Sequence, residues 1–113
     1  MKEQARLLSL WAYLIMLAFV VIAAPADATH STPAALVICH TFDSYCEEAL
    51  EVSWCESHWS TSATNGQYRG LFQMGRWERR RYGHGPTATE QARAALRYFR
   101  ASGRDWSPWA CRP

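Results

Sequence analysis

Residues 44–57 read Ser-Tyr-Cys-Glu-Glu-Ala-Leu-Glu-Val-Ser-Trp-Cys-Glu-Ser. Ser44, with Glu47 three positions on, has the form of a capping box, and the stretch after it predicts a helix through about Glu56. Counted from Ala49 at about 100° per residue, Cys46, Leu50, Val52, Ser53 and Trp54 share one broad arc, with Glu47, Glu48 and Glu51 on the other side. Glu56 falls within the apolar arc at the helix end, between Trp54 and Trp59 in sequence. A carboxyl group there is expected to be partly withdrawn from water. That is the condition under which a carboxyl group holds its proton near neutral pH and can act as a general acid.

The same helix constrains the four cysteines. Cys46 and Cys55 would lie about 13 Å apart along the axis and point to opposite sides, so they cannot bond each other. Cys39 with Cys46 and Cys55 with Cys111 is one remaining pairing, preferred here; the crossed pairing is the other. On a chain-entropy account a Cys55–Cys111 bond would contribute about 4 kcal/mol and a Cys39–Cys46 bond about 2.5 kcal/mol. No C-x-x-C spacing occurs, and neither a metal site nor a cofactor is expected.

Towards the N-terminus, Lys2 and Arg6 precede an uncharged apolar run over residues 7–24, and Ala26-Asp27-Ala28 fits a small-x-small cleavage site. Residues 1–28 therefore read as a secretory signal peptide, with an uncleaved anchor as the alternative. The expected location is extracellular, with membrane contact only through that segment. Removing residues 1–28 leaves the net charge at +2, with every basic side chain an arginine. A chain of 113 residues that is 49% hydrophobic excludes a multidomain protein, a rod and a disordered tail. So small a domain buries only about 60% of its unfolded surface, and disulfides are its natural reinforcement.

Residues 29–44 read as a flexible lead and first disulfide loop, and residues 45–113 as one domain. Asn65-Gly66 signals a short hairpin, and residues 75–82 a short helix ended by Gly83 and Gly85. Thr87 with Glu90 repeats the capping box, opening a helix that should stop at Gly103. Its buried stripe is Ala88, Ala92, Ala95, Leu96 and Phe99, with Tyr98 at the boundary. The fold class is α+β, mainly α, with a short β-hairpin.

Cys55-Glu56-Ser57, then Asn65-Gly66, then Tyr68-Arg69-Gly70-Leu71-Phe72-Gln73, and finally Trp106, Trp109 and Cys111 succeed one another in order. This succession resembles the lysozyme-like family of lytic transglycosylases and resuscitation-promoting factors. The resemblance implies a lysozyme-like fold and Glu56 as the acid that protonates the bond between N-acetylmuramic acid and N-acetylglucosamine. It implies that Ser57 supports the substrate's N-acetyl group or orients Glu56, that Tyr68 and Gln73 line the cleft, and that Cys55 pairs with Cys111. The chain departs from the family in lacking an Ala-Tyr-Asn segment and in continuing after Gln73 as Met74-Gly75-Arg76-Trp77. Tyr98 is the candidate replacement for the cleft tyrosine.

A hydrolase of the usual kind places two carboxyl groups across the bond, whereas a transglycosylase of this family manages with one. Glu78, Glu90 and Asp105 are the candidates for a second group. Glu90 is explained by its cap, and Glu78, among Arg76, Arg79, Arg80 and Arg81, by ion pairing, so the sequence favours a transglycosylase. Trp59 is assigned to the cleft, and Trp54, Trp77, Trp106 and Trp109 to packing. His58 and His84 have no nucleophile to pair with. Arg93, Arg97 and Arg100 line one helix face beside residues 79–81, a surface suited to anionic wall polymers or simply to solvent. Net charge and export argue against nucleic acid. The expected protein is a monomer acting on peptidoglycan glycan strands. A non-catalytic wall-binding module and a membrane-damaging cationic protein are the rival classes.

Overall fold

The computed structural model describes residues 32–113; the expected signal segment and the first residues of the lead lie outside the described residues. Four helices and one two-stranded hairpin occur in order among them: α1 (Pro33–Phe42), a 3-10 turn (Asp43–Tyr45), α2 (Cys46–Ser57), β1 (Thr64–Asn65), β2 (Tyr68–Arg69), α3 (Arg76–Tyr82) and α4 (Ala88–Ala101). The architecture is mainly helical with a small antiparallel hairpin, and two disulfides reinforce it. Among the described residues no helix is long and apolar enough to cross a membrane.

Helix α1 corrects the reading of residues 29–44 as a lead and loop. Thr32 caps it, accepting from the Ala35 N–H at 3.2 Å, and Pro33 occupies a first-turn position where no N–H is needed. Ala35, Ile38 and Phe42 recur at helical spacing and are buried against α2 and α4. Asp43, at φ 51°, ends the helix with its N–H on the Cys39 carbonyl. The Cys39–Cys46 bond then closes the tight 3-10 turn, with Cα atoms 4.3 Å apart. This turn also explains a second difference: the Ser44–Glu47 capping box does not form, because residue 45 rather than 44 precedes the first helical turn and no side chain caps it.

In α2 the buried residues are Ala49, Leu50, Val52 and Ser53, and the Ser53 hydroxyl satisfies itself on the Ala49 carbonyl at 2.6 Å. His58, in the left-handed region, terminates the helix. Beyond the hairpin, the ladder continues as a bridge between Arg69 and Met74 that folds residues 70–73 into a tight turn. That turn drives Leu71 and Phe72 into the core. Phe42, Phe72, Phe99, Trp106 and Trp109 form an aromatic centre with ring centroids 4.4–6.4 Å apart.

Helix α4 begins with the expected Thr87–Glu90 capping box and ends at Ala101, two residues before Gly103. Its buried face is Gln91, Ala92, Ala94, Ala95 and Phe99, so Ala88 and Leu96 are only half-buried and a polar residue sits where none is expected. Gln91 has a structural task. Its Oε1 accepts from the buried Leu71 N–H at 2.9 Å and its Nε2 donates to the Thr61 carbonyl at 3.0 Å. One side chain thus binds α4 to both flanks of the hairpin.

Candidate active site

The C-terminal turn of α2, the hairpin with its return turn, one face of α3, Tyr98 of α4 and the C-terminal tail enclose a polar cleft of about 670 Å³. Glu56 sits half-buried in its wall. The Cys111 N–H donates to Glu56 Oε1 at 3.0 Å, and Cys111 is itself bonded to Cys55, the residue before Glu56. The structure thus forms both bonds of the preferred disulfide pairing. The second disulfide holds the tail where its own backbone orients the carboxylate. Among the described residues Oε2 forms no hydrogen bond or ion pair.

Ser57, Tyr68, Gln73 and Tyr98 line the same cleft. The Ser57 hydroxyl lies 2.8 Å from the Leu71 carbonyl and 3.1 Å from the Ser53 carbonyl, so its proton goes to the main chain and the residue anchors the helix end. Gln73 takes a left-handed backbone at φ 45°, which turns its amide back across the loop. Its Nε2 donates to the Ala63 and Gly70 carbonyls at 3.1 and 3.0 Å, leaving Oε1 as the atom it can offer a ligand. Tyr68 is 45% exposed at the cleft mouth. The Tyr98 ring packs between Tyr82 and Trp109, at 5.2 and 4.9 Å. Burial, then the Glu78 carboxylate and the neighbouring phenols, push its hydroxyl above the ordinary tyrosine value and keep it a proton donor.

Three expectations are corrected here. Trp59 is not in this cleft: with Trp54 it lines a separate apolar groove of about 870 Å³, and its Nε1 donates to the Leu50 carbonyl at 3.3 Å. The two indoles meet edge to face at 4.8 Å on that side of α2, so they do not shield Glu56. Trp54 and Trp77 are 49% and 63% exposed and are not core residues. The third correction concerns Glu78, which turns into the cleft instead of pairing with the arginines around it. Gly75 makes room for it, since a Cβ there would collide with Glu78 Oε2. Gly75, Glu78 and Tyr82 share one helical face, and the Tyr82–Tyr98 stack directs that face towards α4.

Glu47 and Glu51 line the wider apolar groove, and His58 lines both that groove and the Glu56 cleft. Among the described residues, no group of three or more His, Cys, Asp or Glu side chains is placed to hold a metal ion. No family model, curated protein or solved structure matches the chain.

Proposed function

We propose that this protein is an exported, lysozyme-like enzyme that cleaves peptidoglycan glycan strands, with Glu56 as general acid and base. The observation that carries this reading is the convergence of Glu56, Tyr98 and Gln73 on one polar cleft, with one Glu56 oxygen fixed by the Cys111 N–H. In the transglycosylase form, Glu56 gives its proton to the glycosidic oxygen and the bond to C1 breaks. The sugar's 6-hydroxyl then attacks C1 and returns a proton to Glu56, leaving a 1,6-anhydro end without consuming water. The two disulfides accord with an oxidising, extracellular setting.

Glu78 supports a second reading. It is a second carboxylate lining the same cleft, and a hydrolase of the usual kind uses a second carboxylate to activate water or stabilise the oxocarbenium ion. Mass spectrometry of purified peptidoglycan after incubation with the oxidised protein separates the two. Anhydro-ended fragments that vanish with Glu56→Gln and persist with Glu78→Gln support the transglycosylase. Reducing ends that vanish with either variant support the hydrolase. No soluble product from the protein with both disulfides formed would overturn the enzymatic reading in favour of a wall-binding module.

A further inference from the structure

The hairpin has two faces, and successive residues of a strand point to opposite ones. Tyr68 faces the cleft, whereas Arg69 faces a second, polar recess of about 550 Å³ behind it. Helix α3 divides in the same way, sending Glu78 to the cleft and Arg76, Arg79 and Arg80 to the recess. Four arginines therefore line one hollow, and no carboxylate is among the residues that line it. Arg79 is committed to the fold, its Nη1 donating to the carbonyls of Gln67 and Met74. Arg69, Arg76 and Arg80 are exposed and form no ion pair among the described residues. At the far rim Arg97 donates to the Tyr82 carbonyl at 2.7 Å and extends the basic track onto α4.

We propose that this recess is a binding site for a linear polymer of phosphodiesters, held by Arg69, Arg76 and Arg80. Three unpaired guanidiniums on two elements need an anion whose charge repeats, because a single carboxylate neutralises one of them. The two unesterified oxygens of a phosphodiester match the guanidinium fork, and successive phosphodiesters along one chain bring a charge to each of the three guanidiniums in turn. The crowding has an electrostatic signature: burial and the charges of Arg69 and Arg76 lower the Arg79 pKa, and an anion would relieve that repulsion. The recess does not use Glu56, so the proposal stands independently of the glycan-cleaving reading. Where such polymers are attached to a glycan wall, the site would hold the protein beside its strands.

The test is fluorescence anisotropy of a labelled poly(glycerol phosphate) chain with the oxidised protein, over a range of salt. Two triple variants carry the same change of charge: Arg69→Gln, Arg76→Gln and Arg80→Gln at the recess, and Arg93→Gln, Arg100→Gln and Arg104→Gln away from it. Melting curves establish that both are folded. The recess variant should bind about tenfold more weakly or worse and lose most of its salt dependence, and the other should stay within about twofold. Polyglutamate of equal length should compete poorly. Equal losses in the two variants would overturn the site in favour of unspecific attraction, and equal competition by polyglutamate would overturn phosphodiester recognition.

Discussion

Gly70 and Gly66 make a controlled pair. Both lie in the hairpin region with positive φ, +80° and +60°, so alanine at either carries a left-handed backbone cost of about 1–2 kcal/mol. Their surroundings differ. A Cβ at Gly66 meets nothing within 4 Å, whereas one at Gly70 would stand 2.5 Å from Gln91 Oε1, 2.8 Å from Gln91 Cδ and 2.9 Å from His84 Nε2. Gln91 is buried and its Oε1 holds the buried Leu71 N–H, so moving it exposes the fold to an unsatisfied donor. That adds about 1–3 kcal/mol at position 70 alone. For a domain of this size each kcal/mol lowers the melting temperature by about 4–8 °C, so Gly70→Ala should melt about 4–24 °C below Gly66→Ala. Circular dichroism melts of the two oxidised variants supply the comparison, and denaturant titrations with matching slopes check that both unfold in one step. Because residues 70–73 also carry Gln73 into the cleft, the proposed glycan cleavage should fall further in the first variant. Melting temperatures within about 2 °C of each other would refute the packing of Gly70 against Gln91 and His84.

Replacing Cys55 and Cys111 together by alanine should cost about 4 kcal/mol and release the Cys111 N–H from Glu56, whereas removing Cys39 and Cys46 should cost about 2.5 kcal/mol and spare the cleft. Denaturation curves and cleavage assays on folded material would show whether the two losses separate in this way. His84 should give a pH-dependent stability: burial, then the charge of Arg79, lowers its pKa below the ordinary 6.5. The unfolded chain then binds the proton first, so stability is full above about pH 6.5 and declines on acidification towards the lower native value. His84→Gln should remove that decline while leaving the loss at lower pH from Glu90, whose carboxylate is held below its ordinary 4.5 by the Thr87 cap. Trp109→Ala should cost about 3–5 kcal/mol because it empties the aromatic centre and orphans the Phe72 carbonyl, and Trp77→Ala should change stability by about 0.5 kcal/mol or less.

Sequence alone determined the features that local chemistry decides. The Thr87–Glu90 capping box, the short helix ending at Gly83 and the turn after Asn65 depend on neighbours within four residues, and each is present. The separation of Cys46 from Cys55 also came from helical rise, which left only two pairings to choose between. Helix α1 was in principle as legible, since Thr32-Pro33 is a start signal and Ala35, Ile38 and Phe42 share a face, but its short polar opening reads equally as a lead.

Tertiary structure decided the rest, because side-chain direction at element ends depends on the groups that pack beside them. Trp59 and Glu56 are three residues apart in sequence, yet the left-handed residues His58 and Trp59 swing the indole to the opposite side of α2. Glu78 stands among arginines in sequence, and the missing Cβ of Gly75 together with the Tyr82–Tyr98 stack sends it into the cleft while its neighbours face the recess. Gln91 could not be read at all as the residue joining α4 to the hairpin, since its partners Leu71 and Thr61 lie 20 and 30 positions away. A periodic pattern records which face of a helix is apolar; only the assembled chain settles which polar groups face one another across a cleft.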